Sequence, residues 1–337
     1  MEEQNFYTTS VLRTEEIKKA EEKRAVKRVA AAVGIAFSAM LILPAILSAL
    51  MADSMALLGL SNKLATLISN PIFLKGLNVV FSVIAFIIPF AFVPRGVGSS
   101  ISALMPFKRP EKGTLLPVVF MALGFCAFGN IAAERIAQLF SIVGIDFSTY
   151  VSPTPNGLFE ISFALLATAV TPALVEEFAM RGAVGGALKP FGEGFMIITS
   201  SVIFGFMHCN FVQIPFAFIV GLALGFALVK TKTLWAPILI HFINNAVSVL
   251  LDAFLSGSDL IYLRSVVYTL YFVVCFVLFF IGLLLASKKK DFFKLEKSAL
   301  SLTVGEIAKT FFLSPFMIIA FLIAIFESLA TVSLSFI

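Results

Sequence analysis

A chain with nine long apolar runs, each able to cross a lipid bilayer, has few folds open to it. The runs lie at roughly 29–50, 77–94, 115–133, 160–188, 195–213, 214–230, 233–254, 262–286 and 311–335. About 17–25 apolar residues carry a helix across a hydrocarbon core of about 30 Å. Backbone groups in lipid must be hydrogen-bonded within the protein, which leaves helices or closed barrels, and runs of this length are helical. Composition agrees: 59% of residues are hydrophobic and 13% charged, against about 25% charged in soluble domains. Too little charge remains to clothe a soluble core of this size, so an ordinary soluble enzyme is excluded. The expected fold is all-α, a polytopic transmembrane bundle of about nine spans with eight as the alternative. The boundary between the fifth and sixth runs, where a tight turn near Gln213 and Pro215 is needed, is the least defined.

The basic residues set the expected topology. With the N-terminus inside, 21 of the 25 Lys and Arg fall in inner segments, leaving Lys63, Lys75, Arg135 and Arg264 outside. This is the positive-inside pattern, and it predicts a multi-pass cell-membrane protein with a cytoplasmic N-terminus and an external C-terminus. The net charge of +5 does not indicate nucleic acid, because the cations bracket apolar segments. The first 28 residues mix seven Lys/Arg with six Glu, which is unlike a signal peptide and reads as a charged cytoplasmic tail, helical over about Thr14 to Arg28. Cys126, Cys209 and Cys275 fall inside apolar runs, an odd set with no disulfide pattern. The stretch from Phe140 to Leu158 reads as an external loop. The chain divides into the tail (1–28), N-terminal membrane helices (29–150), a segment holding the polar motifs (158–256) and C-terminal membrane helices (262–337).

Ionisable residues within lipid cost roughly 2.5–3.5 kcal/mol each on insertion scales and mark function by default. The fourth run carries Glu176, Glu177 and Arg181, the fifth Phe204 and His208, and the seventh His241 and Asn245. At the helical rise, Glu177 and Glu176 lie about 18 to 20 Å from the inner end, His208 about 21 Å and His241 about 14 Å. These depths overlap, so three helices can converge on one buried site. Glu177 and Arg181 share a face at i, i+4, while Glu176 points about 100° away. Each group alone has a structural reading, as an intrahelical ion pair or an interhelical hydrogen bond. Five costly groups at compatible depths favour chemistry. Glu176 can act as a general base on a water held by His208, with donors from His241 and Asn245 for an oxyanion and Glu177 with Arg181 orienting Glu176. The same Glu176, His208 and His241 can also ligate zinc. Gly182/Gly186 and Gly221/Gly225 have the spacing that lets helices approach closely.

Glu176-Glu177-x-x-x-Arg181, Phe204-x-x-x-His208 and His241-x-x-x-Asn245, in this order on successive membrane segments, resemble the three motifs of the CPBP family of intramembrane proteases. That family comprises the type II CAAX prenyl endopeptidases and the bacteriocin-processing or bacteriocin-immunity (Abi) proteins. The resemblance covers roughly residues 160–255. It implies endopeptidase activity within the membrane on membrane-associated, lipidated or leader peptides. It places the catalytic base at Glu176, its partner at His208 and the oxyanion-stabilising pair at His241 and Asn245, with Glu177, Arg181 and Phe204 supporting. The glutamic mechanism, with no cofactor, is favoured over a zinc one, which would need further partners around its ligands. The alternatives are a non-catalytic scaffold or immunity protein of the same fold, and a proton-coupled transporter, which would show repeat symmetry and broken helices in paired halves.

Overall fold

The charged tail and the first apolar run fold as one helix, α1 (Glu2–Leu57), because no proline interrupts it before Pro44. The structure is a computed structural model and describes residues 2–147, 155, 157–255 and 260–334, with side chains from residue 14 to residue 332. A short helix, Ser61–Ile68, leads to α2 (Pro71–Gly96), where Asn70 Oδ1 accepts from the Ile72 and Phe73 amides and Pro71 fills the first helical position. Then follow α3 (Leu115–Ile142), the long helical run α4 (Leu158–Phe191), α5 (Glu193–Phe206), α6 (Gln213–Thr231), α7 (Trp235–Leu255) and α8 (Ile261–Ser287). Helix α9 (Val304–Phe312) opens on a capping box of Thr303 and Glu306 and bends by 66° into α10 (Pro315–Ala330). Two short antiparallel strands, β1 (Ile145–Phe147) and β2 (Val332–Leu334), follow α3 and α10 in the chain and pair with each other. The part of the expected 140–158 loop at 148–154 and 156 lies outside the described residues.

This is the all-α polytopic bundle expected, with one or two fewer spans than nine. Among the described residues seven helices are long and apolar enough to cross a membrane, or eight if the bent α9–α10 pair is one span. The fifth expected span is α5, whose 14 residues rise only about 21 Å, short of a core of about 30 Å. Residues 207–212 leave the helix instead. Cys209 takes a positive φ of 47°, and Asn210 Oδ1 accepts from the Val212 and Gln213 amides that begin α6. The turn therefore falls ahead of Gln213 and Pro215. Close approach of α5 and α6 depends on glycine, as expected: a Cβ on Gly221 would stand 3.0 Å from Ser201 Cα, and one on Gly225 3.4 Å from Ile197 Cα.

The basic segments meet at one end of the bundle. Lys289 Nζ donates to the Lys112 carbonyl at 2.7 Å and Lys230 Nζ to that of Lys294 at 2.6 Å. Lys232 pairs with Glu111 at 3.6 Å, and the Glu296 amide donates to Glu193 Oε2 at 2.8 Å. The tail joins them: Glu22, buried, accepts from the Ser301 amide, the Ser301 hydroxyl and the Leu302 amide. The two strands lie at the far end. In between, residues such as Phe37, Phe90, Ile203 and Leu224 are buried, while Val266, Leu270, Val273 and Val277 of α8 present an apolar outer face, as a lipid-facing helix does.

Candidate active site

Helix α4 supplies three charged side chains from an irregular stretch. Its α-helical turns Thr171–Glu177 lie between π-helical turns at Leu166–Val170 and Phe178–Val184, widened geometry that is frequent at functional sites. Arg181 Nη1 donates to Glu177 Oε1 at 3.0 Å, with side-chain exposures of 1% and 0%. A guanidinium buried to that degree needs all its partners. A second nitrogen of Arg181 donates to the Gly221 carbonyl of α6 at 3.2 Å, and its central carbon stands 4.3 Å from the Phe204 ring centre, a cation–π contact.

The two histidines close on this pair from α7 and from the turn after α5. His241 Nδ1 donates to Glu177 Oε1 at 2.8 Å, and its Nε2 lies 3.8 Å from Glu176 Oε2. His208 Nδ1 donates to the Phe204 carbonyl at 2.8 Å. A carbonyl and a carboxylate only accept, so both rings carry hydrogen on Nδ1 and turn Nε2 to other work. Phe204 sits between them, its ring edge-on to His208 at 5.2 Å and to His241 at 5.9 Å. Asn245 Nδ2 donates to the Thr168 carbonyl at 3.0 Å and Asn245 Oδ1 accepts from Asn244 Nδ2 at 3.0 Å. Glu176 Oε2, Glu177 Oε2, Arg181 Nε and Asn244 Oδ1 are buried with no hydrogen-bond partner among the described residues.

Glu176, Glu177, Arg181, Phe204, His208 and His241 are thus brought together by α4, α7 and the end of α5, while the bonds of Asn245 run to Thr168 and Asn244. Two further departures stand out. His208 lies in the turn past the end of α5 rather than mid-helix, which frees its ring from the helical lattice. Glu176 and Glu177, expected to serve separate partners, both approach His241, because its two ring nitrogens reach the gap between diverging neighbours. Sequence reasoning passed over Asn244, Thr168 and the Gly221 carbonyl. The buried polar side chain of Asn244 on an apolar helix was the available signal; a backbone acceptor leaves none. Among the described residues no group of three or more His, Cys, Asp or Glu side chains stands together as a metal site. The partners whose lack counted against zinc are nonetheless present, since Glu177 and the Phe204 carbonyl orient both imidazoles.

Residues 158–247 match the family model described as type II CAAX prenyl endopeptidase Rce1-like, about a quarter of the chain. The match runs from the start of α4 into α7 and takes in all three motifs. No curated protein and no solved structure matches the chain. The segment that holds every candidate residue is therefore similar to Rce1-like type II CAAX prenyl endopeptidases, in agreement with the CPBP family of intramembrane proteases.

Proposed function

We propose that this protein is an intramembrane endopeptidase in which Glu176 activates the attacking water. The observation that carries this reading is the division of labour between adjacent carboxylates. Glu177 is fully buried with its Oε1 held by Arg181 and His241, whereas the Glu176 side chain keeps 15% exposure and meets His241 Nε2 at 3.8 Å. Two carboxylates in unequal surroundings is the arrangement by which one site keeps a structural anion beside a working base.

In the proposed reaction Glu176 takes a proton from water held by His208 Nε2, and the hydroxide attacks the peptide carbonyl. Asn245 has one amide hydrogen left beyond its bond to Thr168, and it donates to the developing oxyanion. His241 Nδ1–H is committed to Glu177, so His241 assists the oxyanion through Nε2 only when that nitrogen is also protonated. Glu176 then returns its proton to the leaving amine as the C–N bond breaks. No metal or cofactor takes part. Residues 158–256 form the catalytic core, and the flanking helices, 29–150 and 262–337, enclose it. The substrate is a membrane-associated peptide in contact with the bilayer. A prenylated peptide ending in Cys-aliphatic-aliphatic-any residue is the first candidate, on the strength of the family match. The basic end of the bundle faces the cytoplasm with the N-terminus, and the C-terminus lies outside.

The test is cleavage of a fluorogenic S-farnesylated peptide by the purified protein in proteoliposomes. Glu176→Gln is expected to abolish turnover while the variant inserts and elutes as the wild type does. Asn245→Ala is expected to lower kcat by about 10²–10³. Wild-type turnover in Glu176→Gln overturns the assignment of the base. A biological phenotype that survives both Glu176→Gln and His208→Ala identifies a non-catalytic scaffold or immunity protein instead.

A further inference from the structure

A strongly basic cavity lies apart from the candidate active site, at the basic end of the bundle. It has a volume of about 910 Å³ and opens between α1 and the bend that joins α9 to α10. Helix α1 contributes Lys23, Arg24, Lys27 and Arg28, and α9 contributes Lys309. The spacing explains the cluster, since 23/27 and 24/28 are i, i+4 pairs that hold four cations on adjoining strips of one helix. Like charges so placed repel. All five are exposed, and among the described residues none of them is in an ion pair. Glu306 is the one carboxylate in the lining, and its Oε2 already accepts from the Thr303 amide and hydroxyl. A cleft lined by one sign of charge concentrates the opposite sign, so what this one draws in is an anion.

The α10 side of the cavity adds donors. Ser314 lines it and is 7% exposed. It stands at the start of the 16-residue α10, yet its side chain caps no amide of the first turn and makes no hydrogen bond among the described residues. A hydroxyl and a helix start left in this state suit an anionic acceptor supplied from outside. The position of the cavity says what carries that anion. The first apolar run begins directly after Arg28, and the last one begins at 311, beside Leu313 and Phe316, so the cations stand where both helices enter lipid. One turn beyond Ala31 the same face of α1 presents Ile35, 53% exposed, and α10 presents Phe316 and Ile319, 43% and 50% exposed. A ligand charged beside the cations and apolar one turn deeper is a phospholipid. An acidic peptide or a free anion makes no use of the apolar strip.

We propose that this cavity binds the phosphate head group of an anionic phospholipid in the leaflet at the basic end, with the five cations around the phosphate oxygens and Ser314 donating its hydroxyl to one of them. Arg24 and Arg28 supply the forked donors that match a phosphate, and basic pockets beside membrane helices take such head groups. Five cations against one carboxylate match a head group with two phosphates better than one with a single phosphate. The bound lipid bridges α1 and α10 beside the close approach of Gly34 to Phe316, so occupation stabilises that interface. The inference is independent of the endopeptidase reading.

The test is native mass spectrometry and thermal unfolding of the purified full-length protein in neutral detergent, titrated with cardiolipin, phosphatidylcholine or inorganic phosphate. Cardiolipin, a lipid with two phosphates, is expected to stay bound once detergent is stripped and to raise Tm, while the other two at equal concentration do neither. Arg24→Gln/Arg28→Gln is expected to weaken cardiolipin binding about thirtyfold, for two cations at about 1 kcal/mol each. Ser314→Ala, which keeps all five cations, is expected to weaken it about tenfold. Lys288→Gln/Lys290→Gln removes the same charge from the basic end outside the cavity and is expected to leave binding unchanged. Equal weakening by the two double variants overturns the proposal, because it reports diffuse attraction to a basic surface. Stabilisation by inorganic phosphate equal to that by cardiolipin overturns the lipid assignment and leaves a site for free phosphate. Peptide cleavage enters none of these readouts, so their failure and that of the protease reading are separate results.

Discussion

At the residue scale the centre of the molecule is a buried charge cluster held together by one aromatic ring. Phe204 touches the Arg181 guanidinium, His208 and His241 at once, so its loss should unfasten three functional groups together. Phe204→Ala is expected to cost about 3–5 kcal/mol of stability, read as a lowered Tm in detergent, and to abolish turnover even below that Tm. Arg181→Met strands the Glu177 carboxylate and is expected to cost about 3–5 kcal/mol. The double variant Glu177→Leu/Arg181→Met should lose less than the sum of the two singles, because it leaves no unpaired charge. The Glu177–Arg181 pair was legible in the sequence, since i, i+4 spacing on one helix needs no tertiary information. The convergence of both glutamates on His241 was not, because 64 residues separate His241 from Glu177. The placement of His208 beyond a helix end changes its ring direction in a way no period reveals.

At the scale of elements, apolar length alone misplaced one boundary. Met207, Cys209, Phe211 and Val212 are as apolar as the residues of a span, and hydropathy does not separate an apolar turn from an apolar helix. Asn210 was the one turn former in reach, and its side chain does cap α6. Helix packing was more legible, since small residues at four-residue spacing mark close contacts. The tightest contact against backbone is at Gly34 of α1, where a Cβ would fall 2.6 Å from the Phe316 backbone carbon of α10. Gly34→Ala is expected to destabilise the protein by about 1–3 kcal/mol, measured as a lower Tm, with the α1–α10 interface the first part to open in hydrogen exchange. Glu22→Ala removes an acceptor of hydrogen bonds from Ser301 and Leu302. Its expected cost is about 1.5–3 kcal/mol, with faster proteolysis of the 295–303 segment as the readout.

At the scale of the whole molecule, charge placement carried more information than charge content. The clustering of Lys and Arg outside the apolar runs foretold which loops would share an end, and the hydrogen bonds of Lys112, Lys230, Lys289 and Glu22 join those loops. A cysteine in place of Lys290 is expected to react with an impermeant thiol reagent only after the cytoplasmic face is opened; labelling of intact cells would reverse the orientation. The scarcity of charge elsewhere isolates Glu176, Glu177, Arg181, His208 and His241 as a site. Hydrolysis at that site by a water that Glu176 activates, with no metal, is tested most directly by mass spectrometry. Chelator-treated protein in proteoliposomes, with zinc below about a tenth of an equivalent by elemental analysis, is incubated with the farnesylated peptide. Release of the C-terminal tripeptide at the untreated rate, lost in Glu176→Gln, is the expected result; absence of release, or release that only added zinc restores, would contradict it.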